Sequence, residues 1–141
     1  MAYHLACKRN KRFKGFGSSS GTVSGPDWQL MDSIDAVSIL QFCGADDDIV
    51  PMDGNIQIFG NWAGAPAIDS VMMKWAQLGN CQHIDSIQIN ADVQYLSYSN
   101  CIDNLKIGLY VSQNWGHDWP NSSNNRGLEM SQAFWNFFES L

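Results

Sequence analysis

Polar residues follow two apolar runs of the chain, and their types fit proton-transfer chemistry. Three consecutive aspartates, residues 46–48, come soon after the apolar run at residues 37–43, and Gly116 and His117 come soon after a second run at residues 105–111. A buried carboxylate that accepts a hydrogen bond from one imidazole nitrogen leaves the other nitrogen as a general base toward a serine or cysteine. The sequence therefore allows two interpretations of His117: half of such a dyad, or a loop histidine satisfied by its surroundings.

The three aspartates also raise the question of a metal site. Calcium loops use an Asp-x-Asp-x-Asp-Gly pattern with a distal Glu, and that pattern is absent here. The other two histidines, His4 and His83, share no ligand spacing with any other residue. The sequence predicts no metal site and no cofactor.

Strands are the elements that would carry these residues to one place. Short apolar runs bounded by Gly and Pro predict strands covered on both faces, and functional groups gather at the carboxyl ends of parallel strands. Residues 84–89 and 93–98 alternate apolar and polar side chains, which predicts half-exposed strands or a hairpin. Residues 22–33 contain Gly25-Pro26 and are predicted to form a loop.

Helices are predicted where apolar residues recur at a spacing of three or four. One such stripe consists of Ile68, Val71, Met72 and Trp75 and ends at the Gly79-Asn80 stop signal. Residues 1–9 read as the tail of a helix. The last helix carries a stripe predicted to be core packing: Met130, Ala133, Phe134, Phe137, Phe138 and Leu141. The alternation of strands and helices predicts an α/β fold.

Composition limits the function classes. A chain of 141 residues that is 45% hydrophobic suits one globular domain, and no apolar run approaches the roughly 18 residues of a membrane span. Five of the eight basic residues fall within residues 8–14, and the net charge of the chain is −6. We interpret the basic segment as a solvated helix end, where cations complement the helix dipole. Neither a nucleic acid nor a membrane is predicted as a partner.

The four cysteines contain no Cys-x-x-Cys pair and fall into two classes. Cys7 and Cys43 lie in apolar segments and are predicted to be buried free thiols. Cys81 and Cys101 each follow an asparagine in a polar turn, and we predict a disulfide between them, with two free thiols as the alternative. A disulfide closing a loop of this length contributes on the order of 3 kcal/mol and implies an oxidising compartment.

Four segments, in order, carry a resemblance to one family. Residues 43–51, Cys-Gly-Ala-Asp-Asp-Asp-Ile-Val-Pro, resemble His-Gly-Thr-x-Asp-x-x-Val-Pro, and residues 114–120, Asn-Trp-Gly-His-Asp-Trp-Pro, resemble Gly-Gly-Gly-His-x-Trp-Pro. Between them, residues 75–81 are similar to Trp-Ala-x-Leu-Asn-Gly-Cys and residues 98–101 to Tyr-x-x-Cys. These are motifs of α/β-hydrolase esterases of the polyhydroxybutyrate-depolymerase and feruloyl-esterase type.

The resemblance implies the C-terminal part of a three-layer α/β-hydrolase fold, with a mostly parallel sheet between flanking helices. It makes Asp47 the acid of a Ser-Asp-His triad and His117 the base. Trp115 and Trp119 beside His117 are predicted either to bind an ester substrate or to serve packing. Residues 43, 45, 114 and 115 depart from the motifs, which leaves the triad positions intact and alters the acyl pocket.

The start of the chain resembles the helix that follows the family's nucleophile. Residues 1–7, Met-Ala-Tyr-His-Leu-Ala-Cys, are similar to Met-Ala-Tyr-x-Leu-Ala-Cys, which comes directly after a Gly-x-Ser-x-Gly-Gly elbow. The resemblance therefore places the nucleophile and the oxyanion-hole loop before residue 1, and residues 1–141 form one partial domain. Ser19, in the Gly-x-Ser-x-Gly match at residues 17–21, is a poor alternative because the following residues do not predict the helix that an elbow requires.

The sequence thus predicts a secreted or periplasmic serine ester hydrolase whose substrate is a hydroxyalkanoate polymer or an aromatic ester. The chain alone is expected to be inactive, since acyl transfer needs a nucleophile and an oxyanion hole. The missing N-terminal half is its expected protein partner. The alternatives are a noncatalytic binding module and a degenerate hydrolase remnant.

Overall fold

Five strands form one sheet at the centre of the fold. The computed structural model describes residues 1–54, 64–121, 123–124 and 127–141. The strands are β1 (Gly15–Ser19), β2 (Ser38–Gly44), β3 (His83–Gln88), β4 (Val93–Ser99) and β5 (Ile107–Ser112). The helices are α1 (Ala2–Arg9), α2 (Gly25–Leu30), α3 (Ile68–Leu78) and α4 (Met130–Glu139), with short 3-10 turns at Asn10–Arg12, Met31–Ser33 and Ile102–Asn104. The predicted α/β class is confirmed.

The sheet is mixed, in the order β1-β2-β5-β4-β3. Strands β1, β2 and β5 are parallel neighbours, whereas β4 runs antiparallel to both β5 and β3. Strands β1, β2, β3 and β5 therefore point the same way, as the predicted mostly parallel sheet requires. Among the described strands β4 is the one that is reversed, because the short turn between β3 and β4 can join only antiparallel strands. The alternative prediction of a hairpin in this region is confirmed.

Helices cover both faces of the sheet. On one face, α1 and α3 pack against the strands through a core that includes Tyr3, Ala6, Val71 and Trp75. On the other face, α4 contributes Met130 and Phe137 to a second core cluster with side chains of β2. Because β2 lies between these layers, all seven of its residues are buried, as the apolar run predicts.

The two amphipathic helices differ in how much of their predicted stripe is buried. All four stripe residues of α3 are buried, and the Trp75 indole donates to the Val37 carbonyl at 2.7 Å. In α4 only Met130 and Phe137 are buried, while the Phe138 side chain is 44% exposed. The prediction that the whole α4 stripe is core is therefore wrong in part, because the helix lies near the β1 edge of the sheet, where its outer aromatic residues remain in solvent.

Residues 22–33 are not a loop, contrary to the prediction. Helix α2 begins at Gly25, Ser24 is its N-cap, and Pro26 lies in its first turn. The Ser24 hydroxyl accepts a hydrogen bond from the Asp27 backbone N–H. A serine followed three residues later by an acid is an N-terminal helix signal, and proline is favoured at a helix start, so Gly25-Pro26 opens this helix rather than breaking it.

Strand β3 is the outermost strand of the hairpin, and every one of its residues is exposed. The prediction of a half-exposed strand is wrong for β3, because neither face of this edge strand is buried against the described part of the chain. The Cys81–Cys101 disulfide links the segment before β3 to the segment after β4. None of the helices in the described part of the chain is long and apolar enough to cross a membrane.

Candidate active site

Asp47 and His117 are 70 residues apart in sequence and form a hydrogen-bonded pair. The Nδ1 atom of His117 lies 2.9 Å from Oδ2 and 3.1 Å from Oδ1 of Asp47. The Asp47 side chain is fully buried, whereas 44% of the His117 side chain is exposed. A buried carboxylate and a half-exposed imidazole are the arrangement that fixes the histidine tautomer and leaves Nε2 accessible to a reacting group.

The parallel pairing of β2 and β5 brings the two residues together. Gly44 and Ser112, the last residues of these strands, are partners in the sheet register. Just beyond the strands, the Ala45 N–H donates to the Ser112 carbonyl and the Asp46 N–H donates to the Trp115 carbonyl, both at 2.9 Å. The loops that carry Asp47 and His117 are therefore joined backbone to backbone at the carboxyl edge of the sheet.

Gly44 makes this close approach possible. A Cβ atom at this position would collide with the backbone carbonyls of Trp115 and Gly116. Those atoms belong to the main chain, so the clash could be relieved only by moving the loop that holds His117. A glycine at the end of β2 is thus required for the histidine loop to lie against the aspartate loop.

The Asp47 carboxylate is held by its own loop as well as by His117. Its Oδ1 atom accepts the backbone N–H groups of Ile49 and Val50 at 2.9 and 2.8 Å. Two amide donors fix one oxygen while the other faces the imidazole, which sets the orientation of the pair. The neighbouring Asp46 and Asp48 are exposed, so the pairing with His117 falls on the central aspartate alone.

Trp115 and Trp119 occupy different environments beside this pair. The Trp115 indole packs against the α4 side of the sheet, and its Nε1 donates to the Asp118 carbonyl at 3.0 Å. The Trp119 ring lies 5.7 Å from the Phe134 ring, measured between centroids, and its side chain is 47% exposed. Trp119 therefore offers free aromatic surface two residues after His117, whereas Trp115 is tied to its loop.

The sequence predictions missed a second histidine–aspartate pair. The Nδ1 atom of His4 lies 3.1 Å from both carboxylate oxygens of Asp27, which is buried at the start of α2. The Ser24 hydroxyl donates to Asp27 Oδ2 at 2.8 Å. The only sequence signal was the Ser24 to Asp27 helix-start spacing. The partner His4, which lies on α1, could not be identified from that spacing.

The serines after β1 do not form a nucleophile elbow. Ser19 ends β1, and the next helix begins only at Gly25, whereas an elbow passes directly from strand to helix. Ser20 has a positive φ of 50°, and its buried hydroxyl makes no hydrogen bond to any described residue. The next residue, Gly21, is held by the core: its carbonyl accepts a hydrogen bond from the side-chain amide of the buried Gln41. The amide oxygen of Gln41 in turn accepts a hydrogen bond from the Tyr3 hydroxyl.

The direction of α1 places its first turn at the same end of the sheet as Asp47. Tyr3 contacts Gln41, the central residue of β2, and α1 leads into β1, which runs parallel to β2. A helix that precedes a strand in such a unit runs antiparallel to it, so its first residue lies at the carboxyl edge of the strands. Met1, Asp47 and His117 therefore share one edge of the sheet.

Two buried thiols lie near the two carboxylates, and both have raised pKa values. Burial, reinforced by the nearby Asp47, raises the pKa of the Cys43 thiol to about 12. Burial, with a smaller contribution from Asp27, raises the pKa of Cys7 to about 11. Both thiols are free, and both remain protonated at neutral pH, so neither has the thiolate character of a nucleophile.

The described residues contain no group of side chains that could coordinate a metal ion. No three His, Cys, Asp or Glu side chains converge there into a set that could hold an ion. Asp46, Asp47 and Asp48 point into different environments, two exposed and one buried. What the Asp47–His117 arrangement can do chemically is to position one imidazole nitrogen for proton transfer.

Comparison with known proteins supports an esterase-like relationship. The chain matches no protein-family model. It is 25% identical over 115 residues to a protein from Aspergillus niger described as probable feruloyl esterase C. The match covers 79% of this chain and 41% of the relative, so the chain spans less than half the length of that relative.

Proposed function

We propose that this chain supplies the aspartate and the histidine of a Ser-Asp-His triad in a serine ester hydrolase. The observation that carries the proposal is the contact between His117 Nδ1 and the buried Asp47 carboxylate at the carboxyl edge of β2 and β5. The similarity to a probable feruloyl esterase supports the same chemistry. On this proposal the fold is the C-terminal part of a three-layer α/β-hydrolase, and residues 1–141 form a partial domain.

Each residue has a defined role in the proposed acyl transfer. His117 Nε2 takes the proton of a serine hydroxyl as its oxygen attacks the ester carbonyl, and the resulting imidazolium returns that proton to the departing alkoxide. Water then attacks the acyl-enzyme by the same route, releasing the acid and restoring the serine. Asp47 holds the imidazole in the tautomer that these steps require.

The serine itself is proposed to lie in residues that precede Met1. The first turn of α1 shares the carboxyl edge of the sheet with Asp47, which is where a nucleophile leading into this helix would be delivered. Strand β1 has a single neighbour, β2, among the described strands, so its other edge is free to pair with a preceding strand. The N-terminal half is thus the proposed partner.

Substrate and compartment follow from the same set of features. Exposed aromatic surface at Trp119, beside His117, supports an aromatic or polymeric ester as substrate, either a feruloyl-type ester or a hydroxyalkanoate. The Cys81–Cys101 disulfide supports a secreted or periplasmic location, because such bonds persist in oxidising compartments. The proposed activity needs no cofactor.

A noncatalytic binding module is the second candidate. The observation in its favour is the exposed aromatic surface near α4, where Trp135 is 61% and Phe138 44% exposed and the Phe134 and Phe138 rings stack at 6.3 Å. An exposed aromatic patch of this kind marks an interaction site in many proteins. The two candidates differ in whether a nucleophile ever meets His117.

The deciding experiment compares this chain with a protein extended by the coding sequence upstream of Met1. The extended protein should hydrolyse p-nitrophenyl acetate and methyl ferulate and form a covalent adduct with a serine-directed phosphonate at a residue before Met1. The 141-residue chain should show neither reaction. An extended protein with no adduct and no turnover, or an in-frame stop directly before Met1, would favour the binding module instead.

A further inference from the structure

Strand β3 ends the sheet with an open edge. Its inner side pairs with β4, and its outer side has no neighbour among the described strands. Every residue of β3 is exposed, including Ile84 at 60% and Ile87 at 53%. The strand contains neither proline nor lysine, two residues with which proteins commonly block such an edge. The outer side of β3 is therefore a template for a further strand.

This edge lies far from the edge to which the proposed N-terminal half would pair. Strands β3 and β1 are the two ends of the sheet and are separated by four strand spacings, or roughly 19 Å. A preceding strand that pairs with β1 extends the sheet away from β3. The proposed hydrolase therefore does not use the β3 edge.

The main-chain groups on the outer side of β3 can be identified from the pairing with β4. The Ile89 N–H donates to the Val93 carbonyl at 2.8 Å, so the main-chain groups of Ile89 point toward β4. In an antiparallel ladder these groups point to alternate sides along a strand. The residues of β3 whose N–H and C=O groups point outward are therefore Ile84, Ser86 and Gln88.

The side chains of β3 divide between the two faces of the sheet. Ile84 lies opposite Tyr98, which belongs to the core on the α3 side, so Ile84 points to that face. His83 and Asp85 point to the other face, because side chains alternate along a strand. The Asp85 carboxylate accepts the Ser99 hydroxyl at 3.2 Å, whereas the His83 side chain makes no hydrogen bond to a described residue.

We propose that β3 pairs with β3 of a second copy of this chain. An antiparallel pair with a two-fold axis at Ile84 brings the outward main-chain groups of both strands into register over residues 82–86. Ile84 then lies opposite Ile84 of the second copy on one face. On the other face, each His83 imidazole lies opposite an Asp85 carboxylate and donates an N–H to it. Apolar and oppositely polar cross-strand pairs of this kind stabilise a sheet.

Neighbouring registers are less complementary. An axis at Asp85 sets two carboxylates directly opposite each other, which is destabilising. An axis at Ser86 sets Asp85 opposite Ile87 of the second copy. It also sets Ile84 opposite Gln88, so the isoleucines lose their apolar partners. The order of charged and apolar side chains in β3 therefore selects the register centred on Ile84.

The surroundings of Ile84 suit this pairing. An apolar groove of about 240 Å³ lies beside Ile84, where Met73 and Gln77 of α3 border it, and it gives the side chains of a paired strand room on this face. The Cys81–Cys101 disulfide lines the same groove and fixes the segment that leads into β3. Because the start of β3 is already held in place, pairing there orders less of the chain than pairing by a free segment.

The first test is sedimentation equilibrium of the 141-residue chain over a range of concentrations. The chain should form a reversible dimer of micromolar affinity, because one strand edge makes a small interface. Ile84→Lys and His83→Asp each set like charges opposite each other and should raise the dissociation constant at least about tenfold. Ile89→Lys is the matched control: its side chain is 44% exposed, lies outside residues 82–86, and should leave the dimer intact.

Two further variants test the register itself. Combining His83→Asp with Asp85→His exchanges the members of each pair between the copies and should restore the dimer. Ile84→Cys should form a disulfide between copies on mild oxidation, because directly opposite Cα atoms of a hydrogen-bonded pair lie about 5.5 Å apart. Ser86→Cys should not, since its two copies are offset by roughly 13 Å along the strands. The two free cysteines of the chain are buried.

Three results would overturn the proposal. These are a monomer at every concentration, self-association that Ile84→Lys and His83→Asp leave unchanged, and a disulfide between copies that forms in Ser86→Cys but not in Ile84→Cys. Asp47→Asn should leave the dimer unchanged, because Asp47 lies away from β3. The dimer is measured without ester turnover, so failure of this pairing and failure of the proposed hydrolase are distinguishable.

Discussion

Two histidine–aspartate pairs have nearly the same contact geometry in this molecule and very different surroundings. In both, an imidazole Nδ1 lies about 3 Å from a buried carboxylate: His117 with Asp47 and His4 with Asp27. Asp47 lies in the loop after β2 and receives two backbone N–H groups of that loop. Asp27 lies in the first turn of α2, and its carboxylate also accepts the N-cap serine hydroxyl.

The difference shows that a histidine–carboxylate contact does not by itself identify a catalytic pair. The carboxylate of Asp27 is part of a helix cap, and its histidine ties α1 to α2. The carboxylate of Asp47 belongs to no helix cap and lies where two parallel strands finish. Imidazole exposure does not separate the two pairs, since the side chains of His117 and His4 are 44% and 54% exposed. We therefore assign a structural role to the first pair and propose a catalytic role for the second.

The largest expected difference between the pairs is in ester turnover. In the extended protein, His117→Ala should lower turnover by roughly 10³-fold or more, as loss of a triad base does. His4→Ala should leave turnover per folded molecule close to that of the unmodified protein. A steady-state assay with p-nitrophenyl acetate measures both turnover rates. A large loss in the His4→Ala variant would show that the His4–Asp27 pair also takes part in turnover.

Gly44 tests whether the proposed catalytic pair depends on close backbone approach. Gly44→Ala should displace the histidine loop and lower turnover by roughly 10²-fold, the scale expected for a misplacement of about 1 Å. Gly116→Ala is the matched control, because a Cβ atom there meets nothing within 4 Å. Similar turnover in the two variants would show that the contact between Gly44 and the Trp115 carbonyl does not position His117.

The structural role of the His4–Asp27 pair is tested by measuring the free energy of unfolding rather than ester turnover. Asp27→Ala removes the partner of both Ser24 and His4 and should lower the free energy of unfolding by about 1 to 3 kcal/mol. Asp35→Ala, which removes an exposed ion pair with Lys11, should change it by less than about 1 kcal/mol. Urea unfolding followed by circular dichroism separates these outcomes, and equal effects would argue against a helix-clamping role for Asp27.

The smallest expected effect concerns the thiols beside each carboxylate. Because folding raises the pKa of Cys7 to about 11 and of Cys43 to about 12, their contribution to stability is complete below the ordinary thiol pKa. That contribution is lost as the pH rises through the two raised values. The urea concentration at the midpoint of unfolding should therefore decrease as the pH is raised from 8 to 11. The decrease should be less steep in Cys7→Ala and in Cys43→Ala. An unchanged slope in both variants would contradict the raised pKa values of the two thiols.

Sequence periodicity predicted the elements whose burial follows a simple pattern. The apolar run of β2 and the stripe of α3 correspond to fully buried surfaces. The alternation after residue 83 predicted the β3–β4 hairpin but not its burial, since every residue of β3 is exposed. Periodicity predicted α4 less well, since it identifies an apolar face without showing how much of that face a neighbour covers. The exposure of Phe138 depends on the position of the helix at the β1 edge.

Contacts between distant segments account for what the sequence could not predict. The Asp47–His117 contact was anticipated as one of two interpretations because each residue follows a strand. The Asp27–His4 contact depends on how α1 docks on α2, which no local pattern encodes. The role of Gly44 likewise depends on a carbonyl more than 70 residues later in the chain. The helix-start spacing at Ser24 was readable, but Gly25-Pro26 was interpreted as a loop signal.

The most direct test compares Asp47→Asn with Asp27→Asn in the extended protein at pH 8. Both changes preserve the size of the side chain and remove a carboxylate that contacts a histidine. We predict that Asp47→Asn lowers ester turnover by roughly 10³- to 10⁴-fold, whereas Asp27→Asn changes the urea midpoint and leaves turnover nearly intact. Near-normal turnover in the Asp47→Asn variant would contradict the proposed triad.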